Sequence, residues 1–224
     1  LEFAYLEVLS RSVRSNKQQK FPNLERYIEN HPELFVQAIV WTYKRDDNGE
    51  DPPEVRINED HEYWQTHGYY LLKSIEQIPG QDQATKEEKY KKLMKWVSSV
   101  RKLSAELGRS KCADVCLGLL FSNAPVGTDG VWPNEVIRDV IEDIHSVDIC
   151  RGTHVGLYNA RGIHTAGEGG DQERKLAEKY HVWADALKFT HPFVSSLLMS
   201  MVNTYEHEAE QRDTELDIER RLWY

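Results

Sequence analysis

Apolar residues recur along this chain at three-and-four spacing, and the period-two alternation of a half-buried strand is essentially absent. Over 33–44, Leu34, Phe35, Ala38, Ile39, Trp41, Thr42 and Tyr43 cover most of a helix circumference, with Pro32 in the first turn, where a missing N–H costs nothing. A short helix over 24–30 precedes it. Asp46-Asp47-Asn48-Gly49-Glu50-Asp51-Pro52-Pro53 is the strongest turn signal in the chain. The next helix is expected over 60–78, with Asp60 as N-cap, Tyr63, Trp64, His67, Tyr70, Leu71, Ser74, Ile75 and Ile78 on one face, and a stop at Pro79-Gly80. Thr85-Lys86-Glu87-Glu88 reads as a capping box, and the helix it opens, with Tyr90, Leu93, Met94, Trp96, Val97, Val100, Leu103 and Leu107, ends at Gly108.

The second half continues in the same rhythm. A helix over 111–122 carries Cys112, Val115, Cys116, Leu119 and Leu120, and one from Pro133 carries Val136, Ile137, Val140, Ile141 and Ile144. Residues 147–166 admit two readings. One is a helix over 147–159 in which Gly152 and Gly156 permit close helix contact. The other is a small hairpin of 153–158 and 162–166. The helix is preferred, because glycine weakens a strand at least as much and no strand partner is in view. After a loop over 162–170, Asp171 or Gly170 caps a helix with Leu176, Tyr180, Trp183, Ala184 and Leu187, and Pro192 starts the last and longest helix, to about Arg221. The expected fold is therefore all-α: an irregular bundle of nine or ten helices with no regular repeat, a single domain over 1–224. Its core is led by Phe35, Ile39, Leu71, Ile75, Leu93, Val97, Val115, Leu119, Ile137, Ile141, Tyr180, Trp183 and Leu198.

Composition narrows the class without naming it. Of 224 residues, 40% are apolar and 29% charged, which suits a globular protein and not a disordered one. With 28 Lys plus Arg against 37 Asp plus Glu the formal charge is −9, which disfavours nucleic acid as a partner. Three cysteines make no complete disulfide framework and read as reduced thiols of a cytoplasmic protein. No apolar run approaches the roughly 20 residues of a membrane span. The opening Leu1-Glu2-Phe3-Ala4-Tyr5-Leu6 is already in helical rhythm without a cap, so the chain reads as a C-terminal fragment of a longer polypeptide.

The most unusual segment runs from Arg151 to Arg174. Glycines before a helix can offer backbone N–H groups to a phosphate, with Arg151, Arg161 and Arg174 adding charge. Glu168, Asp171 and Glu173 crowd the same helix start, however, and neither a preceding strand nor a Gly-Lys-Ser/Thr ending is present. The preferred reading is structural: an ordered loop in which Arg161 or Arg174 is held by a carboxylate, with Arg151, Arg161, Glu168, Asp171 and Arg174 as its candidate residues. His145, Cys150, His154, His164 and Glu168 lack the tight ligand pairs of a zinc site, and Ser195 and Ser196 lie inside a helix rather than at a strained turn. No catalytic residue, metal or cofactor is expected. Between Lys86 and Lys111 nine basic residues stand against three acidic, 9 − 3 = +6, and between Glu206 and Arg221 three basic stand against seven acidic, 3 − 7 = −4. Beyond Tyr205 the apolar residues thin to Ala209, Leu216, Ile218 and Leu222, the mark of a helix that projects, pairs with a partner helix, or runs on into an adjoining segment.

Three stretches carry a resemblance: His31-Pro32-Glu33-Leu34-Phe35-Val36 to Tyr43-Lys44-Arg45; Gly130-Val131-Trp132-Pro133 with Val136-Ile137-Arg138-Asp139-Val140-Ile141-Glu142; and Arg161-Gly162 to Glu168-Gly169-Gly170-Asp171-Gln172-Glu173-Arg174. Together they resemble helical regions near the C-termini of large, uncharacterised multidomain bacterial proteins. The resemblance implies a bacterial, helical C-terminal module and carries no activity. The function expected is a non-catalytic interaction or scaffold module, its partners the other domains of the same polypeptide or a separate protein. The alternative is a nucleotide- or nucleic-acid-binding regulatory module using Arg151–Arg174 and the basic 86–111 helix.

Overall fold

A computed structural model describes residues 21–53, 55–56, 60–162 and 169–222. Among these residues the chain is all-α, with nine helices and no strand. The helices are α1 (Pro22–Asn30), α2 (Pro32–Thr42), α3 (His61–Ser74), α4 (Lys86–Glu106), α5 (Ser110–Phe121), α6 (Glu135–Ile144), α7 (Val147–Ala160), α8 (Asp171–Leu187) and α9 (Pro192–Leu222). Residues 147–160 are thus helix and not hairpin. The described residues divide into two compact units, one of those up to 123 together with 147–153, the other of 124–146 together with those from 154 onward. Neither the strong turn signal at 46–53 nor the stop at Pro79-Gly80 marks the division; both lie inside the first unit.

In the first unit α2 is the central element and packs against α1, α3, α4 and α5. Phe35, Val36, Ala38, Ile39 and Val40 are all buried, as expected of a helix that is apolar nearly all round. The Phe35 ring meets Trp96 of α4 edge-on at 5.1 Å, and the Trp96 indole N–H donates to the Ile28 carbonyl of α1 over 3.0 Å. The capping box forms at the head of α4: Glu88 N–H donates to Thr85 Oγ1 at 3.2 Å and Thr85 N–H to Glu88 Oε2 at 3.1 Å.

Helix α3 corrects the sequence reading twice. Asp60 is its N-cap residue but sits in the left-handed region at φ 52° and makes no side-chain cap. The helix also stops at Ser74 rather than at Pro79, with Ile75 extended and both Ile75 and Ile78 still buried. The cause is tertiary. Glu25 of α1 accepts the N–H groups of Glu76 and Gln77 at 2.9 and 3.0 Å, and Glu29 accepts that of Gly80 at 3.0 Å. These charge-assisted bonds replace the helical ladder.

Helix α5 buries Ala113, Asp114, Cys116, Leu117, Gly118, Leu120 and Phe121, so its inward face is turned away from Val115 and Leu119, which are only half-buried. It lies hard against the start of α7. A methyl group on Gly118 would stand 2.1 Å from the Ile149 carbonyl oxygen, and one on Gly152 2.1 Å from that of Val115. Only hydrogen fits at either position. Gly152 is therefore a close-contact residue as its spacing indicated, with Gly118 of α5 facing it across the crossing.

In the second unit α8 and α9 form the principal pair, with α6 against α9. Asn134 caps α6 by accepting from Ile137 N–H at 3.1 Å, and Glu142 of α6 caps α9 by accepting from Phe193 and Val194. Ile137, Ile141, Tyr180 and Leu198 are buried, whereas Trp183 is half-buried and donates its indole N–H to the Gly130 carbonyl. The 124–133 loop is organised by Arg138, which is 4% exposed. Its guanidinium donates to both oxygens of Asp129 at 2.7 and 3.0 Å and to the carbonyls of Val131 and Pro133 at 2.9 Å each. Arg109 does the same in the first unit: 1% exposed, it grips Asp51 through two bonds of 2.7 and 2.8 Å and donates to the Tyr43 and Leu107 carbonyls.

Two outcomes are expected. Gly152→Val should lower unfolding free energy in urea by about 3 kcal/mol or more, the upper end of the overpacking range because the clash is with backbone, while Arg151→Ala on the same turn changes it by less than about 0.5 kcal/mol. The Arg138 guanidinium holds Asp129 low, at about 2. A carboxylate depressed in the folded state contributes stability above its unfolded pKa and loses it as pH falls through the folded value. The stability difference between the native chain and Asp129→Asn should therefore be constant above about pH 5 and shrink between about pH 4 and 2 in chemical denaturation.

Candidate functional site

Arg161 and Arg174, two of the arginines of the Gly-rich segment, stand in the second unit beside α9, and both are committed to carboxylates. Arg161 follows the last turn of α7. Its Nη2 donates to Glu173 Oε1 at 2.6 Å, where Glu173 is 3% exposed, and its Nη1 approaches Glu208 Oε2 at 3.4 Å. The guanidinium also lies 5.6 Å from the centre of the Tyr205 ring. Glu208 accepts in addition from the Tyr158 hydroxyl. Tyr205 stacks on Tyr180 at 5.8 Å with 13° between ring planes, and burial pushes its phenol up to about 12.

Arg174, half exposed on the first turn of α8, bonds Asp213 of α9 and reaches Asp171 at 3.3 Å. Asp213 also accepts the Gly170 N–H at 2.9 Å, and the two donors hold its carboxyl below the usual range. Gly170 is the N-cap of α8, and a methyl group there would stand 2.4 Å from the Ala209 carbonyl oxygen. Gly162 and Gly169 take φ of +65° and +67°. The glycines at the edges of the segment thus serve backbone geometry, and carboxylates fix both arginines. Glu168, His164 and the rest of 163–168 lie outside the described residues. Asp171, the remaining candidate of this stretch, is exposed and pairs with Arg174.

Arg151, on the first part of α7, belongs to the first unit. It is exposed, pairs with Asp148 one turn earlier at 3.0 Å, and lines an open cavity of about 310 Å³ with Tyr43, Asp46, Lys111, Cys112 and Val115. Asp46 accepts the Lys111 N–H at 2.8 Å and the Cys112 thiol at 3.4 Å. Burial first, then Asp46, pushes the Cys112 thiol up to about 11, and burial pushes Cys116 up to about 12, so both are neutral thiols and weak nucleophiles near pH 7. Sequence reasoning missed this cavity. Its walls come from three stretches far apart in the chain, and no local spacing links them.

The basic stretch 86–111 is not one helix. It comprises α4, a turn at 107–109 and the first residues of α5. Arg101 pairs with Asp114 at 2.8 Å, Lys92 with Glu29 and Asp82, and Lys91 with Glu87 at 2.5 Å. Among the described residues no group of three His, Cys, Asp or Glu side chains is placed to hold a metal ion. His154, drawn from the sequence as a possible ligand, instead lies between the Ser200 and Thr204 hydroxyls of α9 at 2.8 and 3.3 Å, and burial lowers its pKa.

No family model, no curated protein and no solved structure matches the chain.

Arg161→Ala should take from buried Glu173 the guanidinium it pairs with and cost about 3–5 kcal/mol in unfolding free energy, whereas Arg161→Met with Glu173→Leu should recover most of that loss. A double variant no more stable than Arg161→Ala would show that the pair is not the source of the effect.

Proposed function

We propose that this chain is a non-catalytic interaction module of a larger bacterial protein of the cytoplasm, and that the distal half of α9 is its docking element. The observation that carries this reading is where burial ends on α9. Val194, Leu197, Leu198, Met201, Val202, Tyr205 and Ala209 are buried, and beyond them, among the described side chains, only Asp213 and Leu216 are even half-covered. The helix nevertheless continues to Leu222, about 20 Å past Ala209. Ile218 and Leu222, four residues apart and so on one helical face, are 53% and 77% exposed. A helix that keeps its form while showing an apolar pair to water is suited to lie against another helix.

The charge of the same stretch selects the partner. Residues 206–221 carry 3 − 7 = −4, and only Glu208 and Asp213 are occupied by arginines from the Gly-rich segment. A second copy of α9 would set acid against acid. A partner segment with an apolar strip flanked by Lys or Arg fits, either in a neighbouring domain of the same polypeptide or in a separate protein.

Two measurements test the reading. A photo-crosslinking residue at Ile218, in the full-length protein, should give one discrete adduct to a basic helical segment, and Leu222→Asp should abolish it while shifting Tm by less than about 2 °C. Absence of any adduct, or a natural reading frame that begins at Leu1 and ends at Tyr224, would remove the basis of the proposal.

A further inference from the structure

The geometry points to the open cavity of the first unit as a binding site for a small zwitterion, a free amino acid or dipeptide with a compact apolar side chain. This inference does not depend on the docking role of α9, because the cavity and α9 belong to different units. At about 310 Å³ the cavity stands at the small end of the range for ligand sites.

Its lining divides into two kinds of surface. Tyr43, Val115 and Cys112 present a ring, a branched aliphatic group and a protonated thiol, none of them charged near neutral pH. The remaining three groups carry charges of both signs. Lys111 and Arg151 are exposed cations, and Arg151 shares its charge with Asp148. Asp46 accepts one bond on each oxygen, from the Lys111 backbone N–H and from the Cys112 thiol. A carboxylate has about four lone-pair sites, so it retains capacity for another donor.

That charge pattern discriminates between ligand classes. A multiply charged anion meets repulsion from Asp46 and Asp148. A neutral apolar ligand would strip water from charged groups and return no partner, and a neutral polar one forgoes the stronger charge-assisted bonds these groups can make. A zwitterion answers both signs: its ammonium suits Asp46, its carboxylate suits Lys111 and Arg151, and its side chain rests on Tyr43 and Val115. The walls are also held in place before any ligand arrives. Asp46 N–H is bonded to the Gly108 carbonyl at 2.8 Å, the Tyr43 carbonyl accepts from buried Arg109 at 3.0 Å, and the Val115 backbone is seated against Gly152. Such pre-organisation limits the entropy lost on binding.

Titration calorimetry of the intact chain with valine, leucine and leucyl-leucine, alongside N-acetyl-leucine and leucinamide, tests the inference. At least one of the three zwitterions should bind with a Kd at or below about 1 mM, and the two derivatives, each lacking one charge, should bind about tenfold more weakly or worse. Arg151→Glu and Val115→Trp should each weaken binding by about tenfold or more, with circular dichroism confirming that both variants stay folded. The inference fails if no zwitterion gives heat up to about 10 mM, if the derivatives bind as well as leucine, or if folded Arg151→Glu binds as tightly as the native chain.

Discussion

A guanidinium cannot shed its proton when it leaves water, so each arginine taken into this fold dictates what must surround it. Arg109 and Arg138 are almost wholly buried and Arg161 nearly so. Arg109 draws the Tyr43 and Leu107 carbonyls and Asp51 to one point; Arg138 does this with Asp129, Val131 and Pro133; Arg161 does it with Glu173 and Glu208. In the first two cases the captured groups belong largely to loops, which in an all-α protein have no ladder to hold them. Helix packing supplies the bulk of the buried surface, and the arginines decide which way the chain runs between helices. The cavity of the first unit depends on this directly, since the Tyr43 backbone that frames it is an acceptor of Arg109.

What could be read from the sequence follows how far apart the interacting groups lie. The Thr85 capping box spans three residues and forms as expected; Phe35 and Ile39 are buried because α2 is apolar nearly all round, and Leu93, Val97, Ile137 and Ile141 because α4 and α6 each have one clear apolar face. The end of α3 was not legible, because the carboxylates that end it, Glu25 and Glu29, lie about fifty residues upstream. The inward face of α5 was misassigned for another reason. With Val115, Cys116, Leu117, Leu119, Leu120 and Phe121 in one run, periodicity sets no phase, and the face was chosen by Gly118, whose lack of a side chain admits α7.

The Gly-rich segment shows the same division. That Arg161 and Arg174 would be held by carboxylates could be argued from composition; that Glu208 and Asp213 would share in holding them could not, since these stand 47 and 39 residues further on. The phosphate reading of this segment rested on free N–H groups at the start of α8. There Asp213 already takes the Gly170 N–H, so a side chain of α9 occupies part of the place a bound anion would need.

The division of α7 between the two units has a consequence for how the protein is made. The first unit is not contiguous: its last contribution, Val147–Thr153, follows the whole of Ala124–Ser146, which belongs to the second. On the ribosome, therefore, α5 emerges with Gly118 bare, and the partner that covers it arrives only after α6 has been synthesised. Until then a helix that is nearly all apolar has one flank open to water. Order of synthesis and order of assembly do not coincide in this chain, and the interval between them is set by the length of α6 and its loops rather than by anything in the first unit itself.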